Sequence, residues 1–264
     1  AVTPDFERRT MTDRGPTCIK APSVWSGATG VASRGEGVVV GVIDSGINPT
    51  HVSFAATAGG FTHTNPRGSL LGWCATPANA GVCNNKLIGV YDFVSGGANG
   101  TSAFTTDPDG HGTHVSSTAV GNPVTATIEG VPTTLSGVAP RANLISYRGC
   151  ASTASDRNCG PEAGSQLLAA INRAVADQVD VINYSIGGLP SNPWLTIGAA
   201  INSDEEAFLA AREAGIVVVA SAGNDGPAPG SLGSPANAPW VLGVASVTHD
   251  RSGAGDRLAS TRAR

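Results

Sequence analysis

Short strand-like segments, the first of them a continuous apolar run, alternate with helix-forming stretches and constrain this chain more than any other feature. The first, Gly37 to Asp44, encloses the continuous run Val38-Val39-Val40-Gly41-Val42-Ile43. A run without polar alternation fits a central parallel strand buried on both faces. Ala142 to Tyr147, Val179 to Ile186, Ile216 to Ala220 and Trp240 to Val247 read as strands too, as does Lys86 to Val94. Glu162 to Gln178 is the clearest helix, with Leu168, Ile171 and Val175 on one face. Ser203 to Gly215 is the second: Ser203 caps it, Asp204, Glu205 and Glu206 fill its first turn, and Gly215 ends it. Gly110 to Val120 is compatible with a third, since no proline intervenes before Pro123. Strands and helices alternating at this spacing predict an α/β fold, a parallel sheet with right-handed crossovers. Residues 1–36 carry charges and prolines without a period and read as a lead-in lying on the surface. Residues 45–108 are dominated by loop signals (Asn-Pro, Gly-Gly, Asn-Asn, Asp-Pro). No repeat or linker-like tract divides the chain, so one domain is expected.

Composition narrows the partners. A net charge of −4, with only 14% charged residues, offers no clustered basic surface for nucleic acid or an anionic membrane. No apolar run approaches the ~18–20 residues needed to span a bilayer, and no signal-like segment opens the chain. Two pairs of cysteines, Cys74 with Cys83 and Cys150 with Cys159, each flank eight Gly-, Ala- or Asn-rich residues. Local disulfides closing surface loops fit this pattern and imply an oxidising compartment, each contributing about 2–3 kcal/mol by chain entropy. Five reduced thiols are the alternative; zinc is disfavoured because close Cys-x2-Cys spacing is missing. Cys18 is unpaired on either reading.

Ligands of open parallel sheets collect beyond the carboxyl ends of the strands. Asp44, Ser185 to Gly188 and Ser221 to Asn224 are all expected there. Asp44 ends its strand in Gly-Val-Ile-Asp-Ser-Gly, and His111 opens a helix within Asp-Gly-His-Gly-Thr-His-Val. Each has a bland reading: a turn-forming carboxylate, a tolerated helix-terminal imidazole. His111 and His114 as a metal pair lack the i, i+4 spacing and adjacent Glu of a zinc hydrolase. Asn224, in Ala220-Ser-Ala-Gly-Asn-Asp-Gly226, is either part of a turn or a donor to a developing oxyanion. Together, a carboxylate and an imidazole supply the acid–base half of a serine-nucleophile mechanism.

Over about Gly37 to Asp250 the chain resembles the subtilisin-like serine proteases. The resemblance rests on Val-Ile-Asp44-Ser-Gly, His111-Gly-Thr-His-Val, Gly137-Val-Ala-Pro140, Asn183-Tyr-Ser-Ile-Gly-Gly188 and Ala220-Ser-Ala-Gly-Asn224. It implies a three-layer α/β fold with a central parallel sheet flanked by helices, its C-terminal part incomplete. It implies His111 as general base and then acid, Asp44 as the group that orients and stabilises it, and Asn224 as the side-chain donor of the oxyanion hole. Ser185, Ile186 and Gly187 would line one side of the substrate cleft, with Ala222 and Gly223 on the other, and His114 would be a packing residue. Residues 1–12 resemble the end of an inhibitory propeptide cut somewhere near Arg9 to Thr12, leaving 13–264 as the catalytic domain. The implied partners are a peptide or protein substrate and the chain's own propeptide. The implied state is a secreted or periplasmic monomer that requires no cofactor. Structural calcium is compatible with the family, but Asp107 and Asp109 form no defensible ligand set.

The family's nucleophile sits in a Gly-Thr-Ser-Met-Ala-like segment after the oxyanion Asn. Here Gly100-Thr-Ser102 precedes His111, and Ser231, Ser234, Ser246, Ser252 and Ser260 lack a following small-residue helix. The ending Arg257 to Arg264 is unlike the family and reads as premature or frame-shifted. An inserted domain after Val241–Val247 would place the serine further downstream in an intact gene. The expectation is therefore a fragment of a serine endopeptidase without its nucleophile. The alternatives are a peptide-binding pseudoprotease using the strand edge near Ser185, or a nucleotide-binding domain. The last lacks a Gly-x-Gly-x-x-Gly turn that opens a helix.

Overall fold

The computed structural model describes residues 15–128, 131–196 and 204–247. The propeptide-like residues 1–12, the Ser203 cap, Ser252, Ser260 and the ending from Arg257 lie outside the described residues. In chain order the elements are α1 (Gly15–Cys18), α2 (Ala21–Trp25), β1 (Val39–Asp44), β2 (Thr57–Ala58), β3 (Phe61–Thr62), β4 (Leu71–Gly72), β5 (Leu87–Asp92) and α3 (His111–Val120). Then come β6 (Val124–Ile128), β7 (Val131–Leu135), β8 (Asn143–Arg148), α4 (Ala163–Ala176), β9 (Val181–Tyr184), α5 (Pro193–Thr196), α6 (Asp204–Glu213), β10 (Val217–Ser221) and β11 (Leu242–Val244).

Seven strands form one sheet in the order β11-β10-β9-β1-β8-β5-β4, and every neighbouring pair is parallel. The continuous apolar run in β1 has the meaning its pattern predicts, because successive side chains enter opposite layers. Val39 and Ile43 join a core with Ile145, Tyr147, Ile171, Ile182 and Phe208, which takes in buried residues of α4 and α6. Val40 and Val42 face the other way, into a core with Leu87, Val90, Leu144, Phe54 and Val120 at the end of α3. The result is three layers, helices on both sides of the sheet. Each fully buried Ile or Leu contributes about 1.5–3 kcal/mol to holding them together. Gly41 is required by this packing: a Cβ there would sit 3.0 Å from the Tyr147 ring and 3.3 Å from Val179. Tyr147 uses that space, stacks on Tyr91 and satisfies its hydroxyl by donating to Asp177 at 2.9 Å.

Several expectations shift in detail. The buried stripe of α4 is Leu167, Ala170, Ile171 and Ala174, with Leu168 and Val175 only partly buried beside it. The helix is rotated so that its small alanines allow close approach. The last strand is shorter than Trp240 to Val247, since Trp240 and Val241 are buried before β11 begins and β11 itself is exposed. The lead-in contains α1 and α2, two very short helices with prolines in their first turns. β6 and β7 form an antiparallel hairpin that no apolar run announced.

The amino ends of β5 and β8 hold a buried polar cluster. Lys86 is fully buried, donates from Nζ to the carbonyls of Pro140 (2.8 Å) and Ala142 (2.6 Å), and burial pushes its pKa down to about 7. Nearby, His63 Nε2 meets Asn122 Oδ1 at 2.6 Å, and Asn143 donates to the carbonyls of Thr64 and Asn85.

Candidate active site

β1 ends in Asp44, and the chain turns through Ser45 and Gly46 (φ 129°) beneath the first turn of α3. The approach is close enough to dictate Gly112: a Cβ there would lie 2.3 Å from the Gly46 carbonyl oxygen and 3.1 Å from Asp44 Cβ. The two flanking glycines of His111 thus have different jobs. Gly110 takes the left-handed conformation (φ 84°) that starts the helix, and Gly112 lets the helix sit on the strand end. Between them, His111 is aimed back at Asp44.

The His111 Nδ1 to Asp44 Oδ1 distance is 2.7 Å, and the same oxygen accepts the Ser45 N–H at 2.7 Å. An ionised carboxylate only accepts, so Nδ1 carries the proton and Nε2 is left as the basic nitrogen. Asp44 is 2% exposed, whereas the His111 side chain is 37% exposed. The bond to Asp44 raises the imidazole pKa; partial burial opposes the rise, and the charges of Asp44, Asp109 and Asp107 reinforce it.

Sequence reasoning missed the support behind this pair. Asp107 accepts the N–H of Gly110 (2.9 Å) and of Thr113 (2.7 Å), together with the hydroxyls of Thr113 (2.6 Å) and Ser45 (2.8 Å). Burial pulls its pKa up, but these four donors outweigh it and hold the carboxyl below its ordinary value. It is a helix cap that also grips the turn after Asp44. Ser45 Oγ in turn accepts the Gly112 N–H at 2.9 Å. Arg148, buried at the end of β8, pairs with Asp92 at 3.1 Å and donates to the Ser45 carbonyl at 3.1 Å. The sequence signal was available only as a cap-type Asp ahead of His111; its reach to Ser45 depends on the sheet.

The other expected residues follow β9 and β10, the strands beside β1 on one side, and so share its rim of the sheet. Ser185 accepts from Asn183 Nδ2 at 3.0 Å, Ile186 packs partly against the core, and Gly187 is exposed. Gly188 donates to the Ser234 carbonyl at 2.9 Å, forming an antiparallel bridge between the two loops. Ala222 is fixed through its backbone to Val244 and Gly233, while Gly223 and Asn224 are exposed. Asn224 makes no side-chain hydrogen bond among the described residues.

Among the described residues no serine hydroxyl bonds to His111. Ser234 donates instead to buried Glu205, Ser231 and Ser246 lie in the loops after β10 and β11, and Ser102 lies in the loop after β5. His114 is exposed, not packed, because it projects from the outer side of α3. Both expected cysteine pairs are bonded and Cys18 is free and exposed. No group of three or more His, Cys, Asp or Glu among the described residues is placed to hold a metal, and Asp107 is committed to the cap.

The three-layer parallel sheet thus presents a buried carboxylate to an imidazole at a helix start. A family model described as the subtilase family matches residues 35–262, and the chain belongs to that family. It is 37% identical over 265 residues to subtilisin-like protease SBT2.1 of Arabidopsis thaliana, covering 94% of this chain and 30% of that protein. Subtilisin-like protease SBT2.2 of the same plant is 36% identical, covering 94% and 29%. SBT4.13, also from that plant, is 40% identical over 215 residues, covering 81% and 26%. The chain thus spans about three-tenths of the length of these curated relatives.

Proposed function

We propose that these residues are the acid–base part of a serine endopeptidase that cleaves peptide bonds by acyl transfer. His111 Nε2 takes the proton of a serine hydroxyl as that oxygen attacks the scissile carbonyl, then gives it to the leaving amine. Asp44 holds the Nδ1–H tautomer and stabilises the imidazolium that forms. The Asn224 amide donates to the oxyanion, a role whose loss costs on the order of 10²–10³ in turnover in subtilisin. Ser185, Ile186 and Gly187 pair with an extended peptide, and Ala222 and Gly223 line the opposite side. The observation that carries this reading is the 2.7 Å His111–Asp44 contact at the carboxyl rim of β1.

The nucleophile lies outside residues 1–264, which accords with the greater length of the relatives and with the absence of a serine beside His111 among the described residues. Residues 1–12 belong to a propeptide that acts as inhibitor, residues 13–264 to the catalytic domain, and the protein is secreted or periplasmic and monomeric. Its partners are peptide or protein substrates, and neither a cofactor nor calcium enters the chemistry. A fluorophosphonate probe tests the assignment. The 264-residue chain stays unlabelled, whereas protein translated from the intact transcript labels at one serine and loses that label in His111→Ala. Labelling of the short chain overturns the missing nucleophile. An unlabelled intact protein favours the second reading, a pseudoprotease that binds peptides along the edge near Ser185.

A further inference from the structure

The sequence holds two Asn-x-Ser/Thr triplets in which x is not proline, Asn99-Gly-Thr101 and Asn183-Tyr-Ser185. Such triplets are acceptors for N-linked glycan only where the asparagine amide is reachable. The fold treats the two in opposite ways. Asn183 lies in β9, between buried Ile182 and Tyr184, and its amide is spent on Ser185 Oγ at 3.0 Å. A glycan there would prevent β9 from joining the sheet.

Asn99 stands at a loop tip. Gly97 and Gly100 both take left-handed conformations (φ 69° and 65°), and Gly100 N–H closes the turn onto the Gly97 carbonyl at 2.9 Å. Asn99 and Thr101 are exposed, and neither side chain makes a hydrogen bond among the described residues. Beside them runs an open groove of about 430 Å³ lined by Tyr91, Phe93, Asn99, Thr101, Asn172 and Arg173. The Asn172 amide in that groove suits the hydroxyl and acetamide oxygens of a first sugar, while Arg173 spends Nε and Nη2 on Asp177 and retains Nη1. The two disulfides, Cys74–Cys83 and Cys150–Cys159, match the oxidising compartment in which this modification occurs.

We propose that Asn99 is an N-glycosylation site, with the first sugar resting along the groove between the 97–101 turn and α4. This rests on the reading that the protein is secreted. In the transfer, Asn99 Nδ2 forms a bond to the anomeric carbon of a lipid-diphosphate-linked oligosaccharide. The bond from that carbon to the diphosphate oxygen breaks, the lipid diphosphate leaves with the electron pair, and the amide proton goes to the transferase's base.

The test uses the whole protein secreted from a eukaryotic host, with peptide masses measured before and after peptide-N-glycosidase in heavy-oxygen water. The expected result, read on the peptides that cover residues 1–264, is heavy oxygen incorporated at residue 99 and not at residue 183. Asn99→Gln and Thr101→Ala each abolish the modification of that peptide, Thr101→Ser retains it, and Asn183→Gln leaves it unchanged. Residue 99 recovered without heavy oxygen in the parent protein, or Thr101→Ala leaving the label at residue 99, overturns the proposal. Alkylation mapping of Cys74, Cys83, Cys150 and Cys159 separates the two ways of failing. A missing glycan with those four cysteines oxidised refutes the site itself; a missing glycan with them reduced refutes the secreted reading, and the site with it.

Discussion

The two sides of the candidate site are built to different standards. On the β1–α3 side, Asp44, Ser45, Asp107, Gly112 and Arg148 are tied by hydrogen bonds that run from the turn below the helix to the strand end. On the β9–β10 side, Gly187, Gly223 and Asn224 are exposed, and the loops touch through backbone bonds such as Gly188 to Ser234. A base that must hold one tautomer benefits from a rigid setting, because its hydrogen-bond geometry is fixed before substrate arrives. The β9–β10 side is held by backbone bonds such as those of Gly188, Ala222 and Gly233 and leaves Gly187, Gly223 and Asn224 open to solvent. The difference separates what this polypeptide completes by itself from what a ligand or further chain would complete.

The largest break in the comparison comes from Gly112→Ala. Its Cβ meets backbone, not a flexible side chain, so α3 must lift from the 44–46 turn. Overpacking of this kind costs about 1–3 kcal/mol or more. The urea midpoint should fall accordingly, and the low-field imidazole N–H signal of the His111–Asp44 bond should vanish. An unchanged midpoint with the signal retained would show that the helix rests less tightly on the strand end than the distances state.

Asp107→Ala comes next. It removes the acceptor of four donors and uncaps α3, for which about 1–2 kcal/mol is expected. The matched change on the opposite side, Asp225→Ala in an exposed turn, should stay within about 0.5 kcal/mol. Equal losses in chemical denaturation would erase the contrast between the two sides.

How much of this was legible in the sequence follows from where each signal resides. The run at 38–43 announced a strand because burial on both faces leaves no polar residue to interrupt it, whereas 142–147 keeps buried Asn143 and Ser146 and 216–220 leaves Val217 half exposed. Asp44 and His111 were legible because Gly112 and Gly46 leave a mark in the sequence where two backbones touch. The β6–β7 hairpin was missed because its Thr/Val alternation around Glu129-Gly130 is half polar, unlike an apolar run. Lys86 gave no sign of burial, since the carbonyls that hold it come from Pro140 and Ala142, more than fifty positions away. Asp107 was noticed as acidic and not as a cap, because Ser45 reaches it only through the sheet.

A smaller effect separates the sides by pH. The Asp44 bond raises the His111 pKa, so protonation of His111 stabilises the fold. That contribution is fully present below the ordinary histidine value and is lost as pH rises through the raised one. Because the ring is 37% exposed, solvent screening keeps the energy modest. The direct readout is an NMR titration of the imidazole: it should titrate above the ordinary range in the parent chain and fall back in Asp44→Asn. In an active whole enzyme, where Nε2 must be neutral, the acid limb of the kcat/KM profile should move with it. A His111 that titrates at the ordinary value would remove the electrostatic part of the argument.

The smallest expected change is Asn224→Ala. The side chain is exposed and bonds to nothing among the described residues, so denaturation should shift by no more than about 0.5 kcal/mol. That near-silence is what distinguishes a residue held for a transition state from one held for the fold, since an oxyanion donor acts on charge absent from the resting protein. A destabilisation of several times that size would mean that Asn224 is part of the architecture of the loop after β10. The open side would then be ordered by its own contacts, as the β1–α3 side is.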